Sequence, residues 1–536
     1  MQNNKKNRAI KLIVSVIIII IPWIIVFVVT DKISKTNIAK EIKIVDYKKD
    51  TLIRQADHKK FEILQQEFTS PEEVTEACIT CHNERHKEVM GSAHWTWDRE
   101  VVRENGETAR VGKRNVVNNF CIATNTNTWK CTSCHIGYGY KDKNFDFTDA
   151  KKVDCIVCHD NTGTYEKQPL GSGYPVAEKQ KFAKKTYFPP DYNYIAKNIG
   201  TPKTENCGAC HFYGGGGDNV KHGDLSSDLL HPDKEMDVHM DEHGNGMSCV
   251  DCHDTERHKI PGKAFSVSSE KDNFSCEKCH ESTPHKNITL NNHTNKIACQ
   301  TCHIPVYAKG VATNTYWDWS TAGKVDKMGK QIKEHDSLGN ITYKSAKGNY
   351  EWGTNLEPEY VWFNGTATHY VYGDIIEDTS AVLQLNPLKG SYKDVNSKII
   401  PVKVHRGKQI FDTETKMLII PHVYGHSDSA YHHGLDWDIA SKVGMEAAGL
   451  PYSGHYSFIS TEMYWPINHM VAPEERSLTC TECHSQDSRL KELNDFYLIG
   501  RDRSKLLDTL GILFIILAFV GVSIHAGIRF MSRKKR

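Results

Sequence analysis

The chain has 536 residues, of which 39% are hydrophobic and 25% are charged, and its formal net charge is +1. This length is sufficient for more than one folded domain. The near-neutral charge excludes a nucleic-acid-binding protein that relies on a strongly basic surface, so we predict no nucleic-acid partner.

The first predicted element is an apolar segment, Ile10–Thr30, which is long enough to cross a membrane. Three basic residues precede it, and no cleavage site of the Ala-x-Ala type follows it. We therefore interpret residues 1–30 as a cytoplasmic tail and an uncleaved transmembrane anchor, with a cleaved signal peptide as the alternative. A polar helical stalk is predicted over residues 31–68.

The next region introduces the sequence Cys-x-x-Cys-His, which occurs eight times in the chain and uses sixteen of its seventeen cysteines. The cysteine pairs are Cys78 and Cys81, Cys131 and Cys134, Cys155 and Cys158, Cys207 and Cys210, Cys249 and Cys252, Cys276 and Cys279, Cys299 and Cys302, and Cys480 and Cys483. The histidines that close the motifs are His82, His135, His159, His211, His253, His280, His303 and His484.

This spacing is typical of c-type haem attachment, because two thiols form thioethers to a porphyrin while the adjacent imidazole ligates the iron. A zinc ribbon has no use for a histidine after every cysteine pair, and a disulfide framework imposes no such spacing. We therefore predict eight covalently bound haem c groups. Seven of the motifs lie in a predicted haem-rich domain over residues 69–303.

A long segment without attachment motifs, residues 304–470, separates the seventh motif from the eighth. It is rich in aromatic residues, glycine and asparagine, and it contains strand-like patches such as Tyr360–Phe363 and Met417–Ile420. We predict that this haem-free insert walls an active-site cleft. Residues 471–505 are predicted to hold the eighth haem and a helix. The predicted fold is mainly α with much irregular structure, and with some short β strands in the insert.

A second apolar segment, Leu510–Ile528, is followed by a basic C-terminus. Residues 506–536 are therefore predicted to form a transmembrane helix and a basic cytoplasmic tail. Since basic residues flank the cytoplasmic ends of membrane helices, both tails are expected in the cytoplasm and the region between them in the periplasm. His525, within this segment, is either an interfacial histidine or a contact with a cytochrome b partner.

The second axial ligands of the haem irons are expected among the histidines outside the motifs. Haems that only transfer electrons usually have two axial histidines, whereas a catalytic haem has a replaceable or unusual ligand. Candidates for the second axial position are His94, His222, His239, His258, His285, His293, His426 and His469.

Two features near the second and fourth motifs do not follow the repeated pattern. Cys121, the seventeenth cysteine, is either a buried small side chain or a thiol beside the second haem. The four glycines of Gly214–Gly217 allow the backbone to approach a cofactor closely or form a flexible loop. Lys221, which follows them, is either a solvated charge or an amine ligand whose pKa is lowered by burial.

Several longer motifs resemble those of the octahaem tetrathionate reductase family. They are Ser92–Trp97, Gly112–Arg114 followed by Asn118–Ile122, Gly214–Asp224, Gly425–Ala430 and Tyr464–Met470. The resemblance covers about residues 70–503 and includes all eight attachment motifs in order. The chain differs from the soluble family type in its two predicted membrane segments.

The resemblance implies a reductase of tetrathionate, nitrite and hydroxylamine, which are small inorganic substrates of anaerobic respiration. It implies that Lys221 ligates the second haem in place of a second histidine, with Asp218, Asn118 and Cys121 lining the pocket. The two membrane segments indicate either direct coupling to the quinone pool or coupling to a membrane partner, such as a quinol-oxidising or cytochrome b protein.

Two chemical routes and two other functional classes stay open at this point. A Cys121 thiolate could attack the central S–S bond of tetrathionate, whereas nitrite or hydroxylamine would bind iron directly. A hydroxylamine oxidoreductase-like enzyme running oxidatively would usually need a tyrosine cross-linked to its catalytic haem, for which Tyr464 is a nominal candidate. A non-catalytic electron conduit would have two histidines at every haem.

Overall fold

The computed structural model describes residues 56–103, 106–120, 124–182, 185–260 and 275–533. The first predicted membrane segment, most of the predicted stalk, and Cys121 lie outside the described residues. At the end of the predicted stalk, the chain forms two 3₁₀ turns, His58–Lys60 and Glu62–Leu64, instead of a continuous helix.

The helices of the haem-rich region are short, and many begin or end within an attachment motif. They are α1 (Pro71–Cys81), α2 (Arg85–Met90), α3 (Ala93–Thr96), α4 (Thr128–Cys131), α5 (Ile156–His159), α6 (Tyr192–Lys197), α7 (Thr204–His211), α8 (Cys249–Cys252), α9 (Ile288–His293) and α10 (Cys299–His303). α1 begins where the Ser70 hydroxyl accepts from the Glu73 amide at 3.3 Å and Pro71 occupies the first turn. Both cysteines of the first motif, Cys78 and Cys81, lie in the last turn of this helix.

Four helices follow the haem-rich region. They are α11 (Tyr431–Gly434), α12 (Trp437–Ala448), α13 (Cys480–Cys483) and α14 (Lys505–Arg533). Within the described residues, α14 is the one helix long and apolar enough to cross a membrane, and none of that stretch is buried inside the protein. It includes the predicted C-terminal membrane segment.

The strands form one large sheet and two small hairpins. They are β1 (Arg99–Val102), β2 (Thr108–Val111), β3 (Gln180–Phe182), β4 (Lys185–Tyr187), β5 (Thr313–Asp318), β6 (Lys333–His335), β7 (Ile341–Lys344), β8 (Gly348–Gly353), β9 (Glu359–Phe363), β10 (Leu383–Gln384), β11 (Lys398–Asp412) and β12 (Tyr456–Pro466). The hairpins pair β1 with β2 and β3 with β4, and the eight strands from β5 to β12 form the sheet.

The 15-residue strand β11 is the centre of this sheet. It pairs antiparallel with β12 from Val402 opposite Pro466 to Asp412 opposite Tyr456. On its other side, β11 pairs antiparallel with β9 and parallel with β5. The full order is β10-β12-β11-β5-β8-β7-β6, with β9 off this path.

The largest hydrophobic core lies on this sheet and includes residues from outside the insert. Trp317 and Trp319 stack with their ring centroids 4.8 Å apart, next to Tyr431 and Trp437. Val117, Phe120 and Val220, which belong to the haem-rich region, are buried in the same cluster. The sheet therefore fixes two segments of the haem-rich region by apolar packing.

Three expectations about the fold require correction. The fold is not mainly α, because the insert forms an eight-stranded sheet with the largest hydrophobic core, whereas we expected only some short strands there. Of the two strand-like patches, Tyr360–Phe363 lies in β9, but Met417–Ile420 makes only isolated bridges. The predicted helix after the eighth motif is instead a series of turns up to Lys505, where α14 begins.

Candidate functional site

A continuous cavity of about 3100 Å³ runs through the haem-rich region. Its walls include cysteines or histidines from each of the first seven attachment motifs, and apolar side chains surround them. Residues of the eighth motif do not line this cavity. A cavity of this size, with thiols and imidazoles on its walls, fits several porphyrin groups and explains why short helices suffice around it.

Seven of the eight motif histidines each have another histidine ring opposite them. The pairs and their centroid separations are His58 with His82 (6.4 Å), His258 with His159 (6.0 Å), His94 with His211 (6.0 Å), His469 with His253 (6.2 Å), His239 with His280 (6.1 Å), His285 with His303 (6.1 Å), and His293 with His484 (6.1 Å). Two imidazoles bound to one metal at about 2 Å have centroids about 6 Å apart, since each ring centre lies about 1 Å behind its nitrogen. The donor set therefore fits seven six-coordinate haem irons.

Hydrogen bonds made by the Nδ1 atom orient several of these imidazole rings. His159 donates to the carbonyl of Gly200 at 2.8 Å, and His484 donates to that of Ile499 at 2.9 Å. On the opposite rings, His258 Nδ1 lies 3.2 Å from a Glu88 carboxylate oxygen and His469 Nδ1 lies 3.1 Å from Asp224. Such partners fix the ring so that Nε2 is left for the metal.

Six of the eight candidate distal histidines occupy these facing positions, whereas His222 and His426 do not. His222 lines the cavity but packs edge-on against Trp465, with centroids 5.0 Å apart. His426 is exposed in the loop before α11. The seventh facing ring belongs to His58, which the sequence did not identify because it lies in the predicted stalk.

The second attachment site is built differently. Within the described residues, no histidine ring faces His135, and its Nε2 donates to the carbonyl of Trp95 at 2.7 Å. Aromatic rings surround the imidazole, with centroids 5.2 Å away for Trp95 and for Trp97 and 5.0 Å away for Tyr140. Burial lowers the pKa of His135 to about 3, so the ring is neutral. This geometry departs from the expectation that His135 ligates iron, because Nε2 is already engaged.

Lys221 lies on the wall of the same cavity, near Cys134. Its Nζ is 4.8 Å from the ring centroid of Trp465. Its aliphatic chain packs on Gly214, where an added Cβ would be 3.2 Å from Lys221 Cδ. Burial, followed by the charge of Lys113, lowers the pKa of Lys221 to about 7. A substantial fraction of this amine is therefore unprotonated at neutral pH and has a lone pair available.

Lys113 adds a second cation to this part of the cavity wall. Its Nζ lies 4.1 Å from the ring centroid of Trp97. The preceding Gly112 packs against the Trp97 backbone so closely that a Cβ would be 2.2 Å from the carbonyl oxygen. Only glycine permits this approach, which fixes Lys113 beside the aromatic rings around His135.

The other expected pocket residues have structural positions in the described part of the chain. Asn118 is buried, its side-chain oxygen accepts from the Phe120 amide at 3.2 Å, and it does not line the cavity. Asp218 accepts from the amide of Ser227 at 3.0 Å and from its hydroxyl, and it does not line the cavity either. Cys121 lies outside the described residues. The structure therefore brings Lys221 to the cavity but not Asn118 or Asp218.

Strand β11 holds both segments that flank the second site. The Lys403 side chain is fully buried, and its Nζ donates to the carbonyls of Val220 at 2.7 Å and Lys221 at 3.2 Å, and to Thr313 Oγ1 at 2.6 Å. The Gln409 amide donates to the carbonyl of Asn118 at 2.7 Å. The sequence did not identify these residues, because polar residues in a strand usually indicate an exposed face.

Contacts between cysteines of different motifs show which sites are neighbours. Four pairs of thiols from different motifs are close enough to shift each other's pKa: Cys78 and Cys155, Cys134 and Cys210, Cys207 and Cys249, and Cys276 and Cys299. Weaker electrostatic contacts link Cys158 with Cys207, Cys252 with Cys279, and Cys302 with Cys480. The sites therefore follow the order one, three, four, five, six, seven, eight, and the second site branches from the fourth.

Comparisons with known proteins agree with this arrangement. Family models described as "Cytochrome c7 and related cytochrome c" and "Cytochrome c bacterial" match residues 232–313 and 314–487. An uncharacterised protein of Archaeoglobus fulgidus is 25% identical over an alignment of 265 residues, and the match covers 42% of this chain and 84% of that protein. The crystal structure of octahaem cytochrome c from Shewanella oneidensis is 44% identical, covers 82% of this chain and 97% of its own, and superposes with a TM-score of 0.74. The chain therefore belongs to the octahaem c-type cytochromes, which bind c-type haem covalently.

Proposed function

We propose that this cytochrome is a membrane-anchored periplasmic respiratory reductase that reduces tetrathionate, nitrite or hydroxylamine at the second attachment site. One observation carries the proposal. Within the described residues, His135 is the one motif histidine without a histidine opposite, and Lys221 lines the cavity beside its motif. A site that breaks the bis-histidine pattern is typical of chemistry at the iron, as distinct from electron transfer alone.

In this proposal, the facing histidine pairs would hold seven of the haems, and Lys221 would hold the second. When bound, c-type haem would supply one-electron iron chemistry. Since the His135 imidazole donates to the Trp95 carbonyl, Lys221 would replace His135 as the residue that holds this haem. The neutral form of the amine is accessible because burial and Lys113 lower its pKa to about 7.

The charge around the second site favours an anion. Lys113 lines the cavity there as a cation, whereas Lys221 is neutral in its proposed role and the nearby Lys167 is paired with Asp154 at 2.9 Å. Within the described residues, Lys113 makes no ion pair with a carboxylate. A cation on a low-dielectric wall raises the local concentration of anions, and tetrathionate and nitrite are anions whereas hydroxylamine is neutral. This supports the two anionic substrates over hydroxylamine.

For tetrathionate, we propose that the Cys121 thiolate attacks the central S–S bond and releases thiosulfate, after which two electrons and a proton release the second thiosulfate and restore the thiol. The described residues on the two sides of Cys121 have defined positions. Phe120 is buried in the sheet core, and the Thr124 hydroxyl donates to the Lys113 carbonyl.

The experiment is a viologen-linked assay of the membrane-bound protein on tetrathionate, nitrite and hydroxylamine. Lys221→Arg removes the amine ligand and keeps a long side chain at this position, and it is expected to lower turnover by at least about 100-fold. Lys327→Arg, in an exposed turn of the insert, is the control and should keep full turnover. Wild-type turnover with none of the three substrates would contradict the proposal.

Cys121→Ala separates the two chemical routes in the same assay. It is expected to abolish tetrathionate turnover and to spare nitrite turnover, because only the first route needs a thiol. Unchanged tetrathionate turnover would contradict the thiol route.

Two other functions are less well supported. An oxidative hydroxylamine enzyme would need a free tyrosine, but the Tyr464 hydroxyl donates to Glu462 and accepts from Gln384, both at 2.8 Å. A non-catalytic conduit would need a histidine opposite His135.

A further inference from the structure

The apolar helix α14 begins shortly after a segment that contacts the eighth attachment site. The imidazole of His484 donates from Nδ1 to the carbonyl of Ile499 at 2.9 Å. The next residue, Gly500, has a φ of +91° and touches the His484 backbone, where an added Cβ would lie 2.4 Å from the carbonyl oxygen. The chain therefore returns to the motif histidine immediately before α14 begins at Lys505.

Hydrogen bonds from a buried arginine hold the segment that leads from the eighth site towards α14. The Arg501 side chain is only 6% exposed and donates to the carbonyls of Leu490 at 2.7 Å and Phe496 at 2.8 Å. It also pairs with the Asp502 carboxylate at 2.7 Å. Leu490 is itself buried against β9 and β11. Charge-assisted hydrogen bonds of this kind hold the segment in one position, whereas a simple anchor needs only a flexible tether.

The eighth site is consequently close to the point where the chain meets a membrane. Ile499 precedes Lys505 by six residues, which span at most about 20 Å when fully extended. Two large apolar side chains next to α14, Tyr497 and Ile499, are 58% and 71% exposed. Exposed apolar residues that adjoin an apolar helix form a surface suited to a membrane-embedded partner.

The eighth site also connects the molecular surface with the other sites. Cys480 is exposed, and the motif does not line the large cavity. Cys302 of the seventh motif nevertheless lies within electrostatic range of Cys480 and Cys483. From there the neighbouring sites lead through six, five and four to the second. The eighth site is thus at the α14 end of a row of sites, and the second site is at the end of the branch that leaves this row at the fourth site.

We propose, building on the proposed reductase function, that the eighth site accepts electrons from a membrane-embedded quinol-oxidising protein that docks beside Tyr497, Ile499 and α14. The partner oxidises a quinol to a quinone and releases two protons. The two electrons enter the eighth site one at a time and leave at the second site, where they reduce the substrate.

The proposal places the quinol site in a protein partner because the described part of the chain encloses no cavity around α14. The candidate span of α14 is apolar and exposed, and none of it is buried against the rest of the described chain. A quinone ring needs an enclosing pocket with polar groups, which another membrane protein would supply. The same exposed helix surface is available for packing with that protein.

The test uses a spacer between Ser504 and Lys505 in the full chain. About 12 Gly and Ser residues would add roughly 20 Å of flexible chain and keep the protein on the membrane. The same spacer within the exposed turn at Met328 and Gly329 is the matched control. Both variants should retain full haem content and unchanged visible spectra.

The readout is the rate at which duroquinol reduces the haems in native membrane vesicles, followed by absorbance. The Ser504 spacer is expected to slow this reduction by about tenfold, because it lowers the effective concentration of the docked partner. The control spacer should leave the rate unchanged. Viologen-driven substrate turnover, which needs no docking, should be equal in all three proteins.

Each contrary outcome overturns a different statement. An unchanged duroquinol rate in the Ser504 spacer variant would overturn the assignment of the eighth site. Direct reduction of the purified chain by duroquinol in liposomes would overturn the need for a protein partner. Absence of viologen-driven turnover in the unmodified protein would instead overturn the proposed reductase function.

Discussion

At the scale of single residues, burial lowers the pKa of both His135 and Lys221, but the two side chains differ in whether their nitrogen is already hydrogen-bonded. His135 is enclosed by aromatic rings and donates to the Trp95 carbonyl, so its imidazole acts as a packed neutral ring. Burial of Lys221 lowers the pKa of its amine to about 7 and makes the lone pair available. In our proposal, His135, which belongs to an attachment motif, has a structural role, and Lys221 takes the ligand position.

Lys403 is expected to position Lys221, because its three donor contacts include the carbonyls of Val220 and Lys221. Lys403→Met would leave these buried carbonyls without a donor and destabilise the protein by about 2–4 kcal/mol. We expect the near-infrared magnetic circular dichroism band of the lysine-ligated haem to disappear while the bis-histidine bands remain.

The matched control for Lys403→Met is Lys408→Met, on the same strand but only half-buried. It should leave the lysine-ligated band intact. If Lys403→Met keeps this band and only lowers the denaturation midpoint, Lys403 has no positioning role.

At the scale of elements, the short turn His58–Lys60 brings the His58 ring to 6.4 Å from that of His82. His58→Ala is expected to convert the first site to a five-coordinate high-spin form, because no second nitrogen would reach the iron. The measurement is the electron paramagnetic resonance spectrum, in which a five-coordinate haem gives a high-spin signal of nearly axial symmetry.

Substrate turnover with a viologen donor should change by less than about twofold in His58→Ala, since the first site is not between the eighth site and the second. The exposed His243→Ala is the control and should produce no high-spin signal. A purely low-spin spectrum of His58→Ala would show that His58 is not a ligand.

The elements also show where sequence reasoning succeeds and where it fails. The attachment motifs are predictable because thioether formation and ligation by the adjacent histidine are local chemistry. β11 is not, because Lys403, His405 and Gln409 indicate an exposed strand but are buried through partners from distant segments.

The segment after the eighth motif shows a second kind of failure. Its composition favours a helix, yet Gly500 has a φ of +91° and Arg501 binds the carbonyls of Leu490 and Phe496. These tertiary contacts override the local helix propensity. The pairing of axial histidines escapes prediction for the same reason, since His469 faces His253 from a distant part of the chain.

At the scale of the whole molecule, the haem-rich region and the sheet differ in what stabilises them. The sheet has its own core of stacked aromatic residues, whereas the haem-rich region surrounds a cavity of about 3100 Å³ that porphyrin would fill. Chain produced without haem attachment is therefore expected to lose amide protection over residues 69–303 and to keep it in β11 and β12. Hydrogen exchange measured by mass spectrometry tests this difference. Equal protection in both regions would show that haem does not form the core.

In our proposal, the second of the eight haems is held by Lys221 and binds substrate, whereas each of the other seven has two histidines. The decisive measurement is low-temperature electron paramagnetic resonance of the oxidised protein, with and without added nitrite. We predict seven nitrite-insensitive bis-histidine haems and one haem with a different signal that nitrite changes. Eight bis-histidine signals, all unaffected by nitrite, would contradict it.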